Sequence, residues 1–171
     1  MKVKGFPKQK IWVLMKKMNV VTDLGSYNVR LRGLVANNKV NEAIELFEEM
    51  GKKYIIPNAL CYDVMIKMYV DDRNWEEAKR WYDKMVENGR YPDNATFKML
   101  IHFTCNKDDL DFALELCKKA IDSKVTVHDA TMQRVVNGLA EQSKLEEAKE
   151  LVQSAKSYKR YRSKLSLPSL Q

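Results

Sequence analysis

Apolar residues along this chain return every three or four positions in blocks about a dozen residues long, and the blocks come in pairs. In residues 24–58, LGSYNVRLRGLVANNKVNEAIELFEEMGKKYIIPN, one side of a first helix carries Tyr27, Leu31 and Leu34, and one side of a second carries Val40, Ala43, Ile44, Phe47 and Met50. That spacing makes an amphipathic stripe facing a core. It predicts helices over about 26–37 and 40–53, then 59–72 with 75–88, 95–106 with 110–123, and 130–142 with 145–160. Ahead of them, residues 6–23 match a second helix: Pro7 suits a helix start, and Ile11, Leu14, Met15 and Met18 form one apolar face.

The pairs are copies. Tyr27, Tyr62, Phe97 and Met132 lie 35 residues apart, as do Ala43, Ala78, Ala113 and Ala148. Met50, Met85, Ala120 and Ala155 keep the interval, and Pro57-Asn58 is echoed by Pro92-Asp93. A fixed period of this size predicts an all-α chain, an α-solenoid of stacked helix-turn-helix repeats, because one helical pair cannot bury its apolar faces alone. The units run over 24–58, 59–93, 94–128 and a degenerate 129–162, after a basic segment, 1–23, carrying half a repeat, and before a loose tail, 163–171. Stacking at a constant offset curves such an array into a superhelix whose inner wall is lined by the first helices. Asn38, Asn74, Asp108 and Ser143 are expected to cap the second helices, and Asn58, Asp93 and Asp129 the first ones.

Charge is placed unevenly. Of the net +7, residues 1–23 hold +5, residues 24–128 hold −1 and residues 129–171 hold +3, with +5 between Lys156 and Lys164 alone. Basic ends on a nearly neutral body point to a polyanionic partner gripped at the termini. Cys61, Cys105 and Cys117 are odd in number and lack a C-x-x-C spacing, so they are expected to be small buried hydrophobes in a reducing compartment. No run approaches the roughly 18 apolar residues a membrane span needs. MKVKGFPKQK lacks an apolar signal core, and an opening partway through a repeat suggests a processed or truncated form. Phosphate-binding glycine loops, deaminase or zinc-protease signatures and triads are absent from the sequence, so no enzyme activity, cofactor, metal or small-molecule substrate is expected.

The 35-residue period, the Tyr27-Asn28 opening, the A-x-x-L-F-E-E-M run from Ala43 to Met50 and the Pro-Asn and Pro-Asp closings together resemble a pentatricopeptide repeat protein of the plain 35-residue type. The resemblance implies a right-handed superhelix and single-stranded RNA along the inner wall, one base per repeat, selected by the fifth and last residues of each. Those positions are Asn28 with Asn58, Asp63 with Asp93, Lys98 with His128, and Gln133. Asn28 with Asn58 looks like a pyrimidine reader; Asp63 with Asp93 presents acceptors without donors. The late-helix positions where the family often carries a lysine are Ala36, Asp71, Asn106 and Glu141, which suggests an acidic wall that holds a single strand poorly.

The wording of residues 26–34, SYNVRLRGL, is also similar to short repeat proteins of plant mitochondrial ribosomes. The expected role is therefore a structural component of such a ribosome, in the mitochondrion with the chloroplast as the alternative, bound to ribosomal RNA and ribosomal proteins. Lys2, Lys4, Lys8, Lys10, Lys16, Lys17, Lys156, Lys159, Arg160, Arg162 and Lys164 are expected to hold RNA backbone. The competing expectation is an organellar factor that stabilises, processes or promotes translation of a transcript through its wall.

Overall fold

The computed structural model describes residues 8–158 and 165–168. Every regular element among them is helical: α1 (Lys8–Lys17), α2 (Leu24–Ala36), α3 (Val40–Lys52), α4 (Ala59–Asp71), α5 (Trp75–Glu87), α6 (Asn94–Asn106), α7 (Leu110–Asp122), α8 (Asp129–Glu141) and α9 (Leu145–Ser157). From α2 onward each helix is 13 residues long. The first helices of the pairs start at Leu24, Ala59, Asn94 and Asp129, one period apart. The chain is an α-solenoid of helical hairpins, and it divides into two compact units, one closing at Arg90 and the other opening at Tyr91.

The period is set by the turns. Backbone φ is positive at Asn38, Arg73, Asp108 and Ser143, inside the hairpins, and at Asn19, Tyr54, Gly89 and Lys124, between them. Each such residue follows a helix C-terminus, and the next N–H closes back five residues: Lys39 to Leu34 at 3.0 Å, Asn74 to Tyr69 at 2.9 Å, Ile55 to Met50 at 2.9 Å, Val125 to Ala120 at 2.9 Å. This is the Schellman arrangement, which satisfies carbonyls that the end of a helix would otherwise leave bare. It also corrects the cap assignment. Asn38, Asp108 and Ser143 supply left-handed backbone, and the N-cap falls one residue later, on Lys39, Asp109 and Lys144; Asp109 and Asn74 accept side-chain caps from Phe112 and Glu77 N–H at 3.2 and 3.3 Å. Asp129 begins α8, and His128 stands at its N-cap without a side-chain bond.

In the first unit, α2 packs on α3, α4 on α5 and α2 on α4, with α1 against α2. Tyr27, Ala43, Met50, Ala78 and Met85 are fully buried, and Tyr62 nearly so. The joint between repeats is aromatic: Phe47 of α3 meets Tyr62 of α4 at 5.2 Å and Trp81 of α5 at 4.7 Å between centroids, both edge-on. Trp12 likewise stands edge-on to Tyr27 at 5.0 Å, and the Tyr27 hydroxyl donates to Glu49 at 2.9 Å. The expected α1 face fares differently. Trp12 is buried, whereas Leu14 and Met18 are exposed, because α1 meets α2 along the Trp12 edge.

In the second unit, α6 packs on α7, α8 on α9, α6 on α8 and α7 on both α8 and α9. Phe97, Ala113, Ala120, Met132, Ala148 and Ala155, at the corresponding positions, are fully buried. Cys61 and Cys117 are buried and Cys105 is half-buried; all are free thiols. The expected loose tail is held in part, with Leu165 only 2% exposed. No helix of the described residues is long and apolar enough to cross a membrane.

Two stability changes follow. Tyr54 is 94% exposed and left-handed. Tyr54→Gly should therefore add about 0.5–1 kcal/mol by relieving its backbone, seen as a thermal midpoint about 2 °C higher; Gly89→Ala, at φ 65°, should lower it. Phe47→Ala should cost about 3–5 kcal/mol in chemical denaturation, because it empties the joint between two repeats.

Candidate nucleic-acid interface

The first helices α2, α4, α6 and α8 carry the residues expected to face RNA, and the structure brings one of the expected pairs together. Asn58 ends the preceding repeat as N-cap of α4, its oxygen accepting from the Cys61 N–H at 3.2 Å. The Cys61 thiol lies 3.0 Å from the Asn28 oxygen and 3.3 Å from that of Asn58. Burial pushes the Cys61 thiol up, so it stays protonated, and its single proton serves one oxygen at a time. Both carboxamide oxygens thus turn toward one buried residue, which leaves the amide nitrogens as the groups this pair can present to a base.

The other positions are committed differently. Asp63 is 9% exposed and belongs to the interior of α4. Asp93 caps α6, accepting from Thr96 N–H at 2.8 Å. Lys98 and His128 are exposed. The Gln133 carboxamide bonds to Asn137 on its own helix and to Ser166 of the C-terminal segment. Of the cations expected to hold RNA backbone, Lys17 and Lys156 are exposed. Lys2, Lys4, Lys159, Arg160, Arg162 and Lys164 lie outside the described residues, as do the side chains of Lys8, Lys10 and Lys16.

The expected acidic wall needs correcting. Across α2, α4, α6 and α8 the cations Arg30, Arg32, Lys67, Lys98 and Arg134 slightly outnumber the carboxylates Asp63, Asp71, Asp129 and Glu141. Asp71 is paired with Lys67 at 3.0 Å, one helical turn away. Asn106, which has no charge of its own, accepts from the Arg134 guanidinium at 2.6 Å. The same guanidinium reaches His102 Nδ1 at 3.2 Å, and His102 Nε2 lies 3.4 Å from the Thr131 hydroxyl. Sequence reasoning missed this cation because its partners sit on the first helix of the preceding repeat, 28 and 32 residues away. The available signal was the offset of just under one period.

Arg134 borders a cleft of about 540 Å³ between α6 and α8, lined also by Cys105, Leu110, Gln133, Asn137 and Glu141. Its guanidinium is held through two of its nitrogens by neighbouring residues of α6, which suits a planar, always-charged group for meeting phosphate. The arrangement requires neutral His102 with Nδ1 as acceptor. Burial first, then Arg134 and Lys98, hold that imidazole below its ordinary value.

The pH consequence has a definite sign. With the folded value depressed, the stabilisation is present above the ordinary histidine value of 6.5 and is lost as pH falls through it toward the folded one. The thermal midpoint should therefore drop on going from about pH 7.5 to about pH 5.5, and the drop should be smaller in His102→Gln.

Residues 22–71 and 57–106 match the PPR repeat family. Among curated proteins the chain is similar to the small ribosomal subunit protein mL103 (rPPR7) of Arabidopsis thaliana, 29% identical over 85% of this chain and 35% of that protein. It is also similar to a mitochondrial pentatricopeptide repeat-containing protein of the same plant, 26% identical over 82% of this chain and 32% of that protein. The chain thus spans about a third of the length of these relatives. Among solved structures it superposes on the maize pentatricopeptide repeat protein PPR10 with TM-score 0.68 and 17% identity, covering 94% of this chain and 22% of that one. It also superposes on the PPR domain of Arabidopsis thaliana protein-only RNase P 1, solved with tRNA, with TM-score 0.69 and 16% identity, covering 93% of this chain and 82% of that one. With the 35-residue turn pattern and the buried columns, these matches establish that the chain belongs to the pentatricopeptide repeat family.

Proposed function

We propose that this protein is a non-catalytic RNA-binding component of a plant mitochondrial ribosome, holding ribosomal RNA by its backbone and neighbouring ribosomal proteins by its outer surfaces. The observation that carries the reading is the disposition of the base-facing positions. Asp63 is interior, Asp93 is engaged as a helix cap and Gln133 is bonded within the chain, so readable groups are left at Asn28 with Asn58, through their amide nitrogens, and at exposed Lys98 with His128. A strand read at no more than two of four repeats gains little sequence information, whereas exposed Lys17 and Lys156 and the basic residues around them suit phosphates of a structured RNA. The similarity to mL103 supports the ribosomal setting. In this reading the working repeats are 24–58, 59–93, 94–128 and 129–162, flanked by basic ends.

The Asn28–Cys61–Asn58 cluster favours a second reading, an organellar factor that binds one single-stranded transcript, and a single experiment separates the two. Organelle lysate is sedimented through a sucrose gradient beside lysate carrying Lys156, Lys159, Arg160, Arg162 and Lys164 all changed to Ala. The ribosomal reading expects comigration with a ribosomal subunit that the quintuple variant loses. With purified components, the slope of log affinity against log salt should fall by roughly 0.7–0.9 for each phosphate contact removed. A slow-sedimenting pool that protects one transcript end, and that Asn28→Ala abolishes, would establish the transcript reading instead.

A further inference from the structure

The fifth position of the fourth repeat is already filled. Gln133, on α8, donates through its amide nitrogen to the Ser166 carbonyl at 2.8 Å and accepts at its oxygen from the Ser166 N–H at 3.1 Å. A further bond from the same nitrogen reaches Asn137 Oδ1 at 2.8 Å, so both amide protons are engaged. Beside this pair Leu165 is 2% exposed, in a segment without regular secondary structure. The contact is therefore anchored by an apolar side chain and registered by two reciprocal hydrogen bonds.

A residue that presents its own N–H and C=O on one side offers a carboxamide the same donor–acceptor pair as the N3–H and an adjacent ring carbonyl of uracil. We propose that residues 165–168 are a resident occupant of the fourth repeat, standing where a nucleobase would stand and withholding Gln133 from RNA until the segment is lifted. This rests on α8 being a face offered to RNA, and not on the ribosomal setting. The offset is the same as at the first repeat, where the Cys61 thiol 33 residues on meets the Asn28 oxygen; what differs is the partner, a helix side chain there and the main chain of a segment without regular structure here. The segment carries no charge, so its attachment is apolar and hydrogen-bonded and should resist salt, unlike a phosphate contact.

The test uses the purified full chain, with circular dichroism to confirm the helices in each variant. Hydrogen exchange of the Ser166 amide reads the docking, and a mixed-sequence, unpaired RNA of sixteen nucleotides reads the consequence. In the unmodified chain Ser166 should be protected; Leu165→Ser should speed its exchange and tighten the oligonucleotide by about tenfold, the worth of two recovered hydrogen bonds. Ser166→Pro, which removes the N–H donor without touching a helix, should tighten it similarly. Gln133→Leu frees the segment but removes the edge, so exchange should quicken with no gain in affinity. Unchanged exchange in Leu165→Ser would overturn the anchoring, and fast exchange with unchanged affinity would overturn the competition. Failure of the ribosomal reading would show only in the gradient, since these measurements contain no ribosome.

Discussion

Everything in this molecule depends on a turn that lets a helix stop at a fixed length. Each hairpin and each link between hairpins passes through one residue of left-handed backbone, and the following N–H seals the end of the helix behind it. Because each kind of turn consumes the same number of residues every time, the buried aromatic or methionine position and the buried alanine come into register within each unit without further instruction. Alanine is fully buried at 43, 78, 113 and 148, where a larger side chain would push the paired helices apart. The left-handed turns are achieved with glycine once in eight positions; elsewhere asparagine, aspartate, serine, lysine, arginine and tyrosine accept the strained region. The sealing hydrogen bonds offset that strain, so the turn geometry outranks local preference.

Such a stack places the first helix of one repeat against the first helix of the next within each unit, and the chemistry of that face is written across repeats. Arg134 is oriented by Asn106 and His102 of the repeat before it, and Asn28 and Asn58 are drawn together by Cys61 of the repeat after. A residue's role on this face is set as much by its neighbour one period away as by its own type. Asp93 caps α6 as Asn58 caps α4, yet Asp63, at the position homologous to Asn28, belongs to the interior.

That division also marks what could be read from the chain alone. The period, the helix type and the columns were legible because they are repeated, and repetition separates pattern from accident: Ala43 by itself says nothing, four alanines in phase say a great deal. Cap residues were misassigned at Asn38, Asp108 and Ser143 because short polar side chains serve both as N-caps and as left-handed residues, and only the closing hydrogen bond decides between them. The Arg134 cluster and the Ser166 contact were invisible for a different reason. Each joins residues whose separation, 28 to 33, depends on the axial offset between stacked helices, a quantity no single-repeat pattern contains.

The charge on the first helices then bears on affinity in a way that net counts conceal. Lys67 is paired with Asp71, Arg30 lies 3.5 Å from Glu42, and Arg134 is bonded to neutral Asn106 and His102. A phosphate approaching Lys67 competes with a carboxylate already in place, so the net gain is that of exchanging one exposed ion pair for another, small by the usual worth of such pairs. A phosphate approaching Arg134 meets a cation whose present partners carry no charge. The guanidinium is already oriented, and no anion must be displaced. Among these three paired cations, Arg134 is therefore the one whose contact with a nucleic acid would contribute most per charge, and it stands beside the glutamine that residues 165–168 engage.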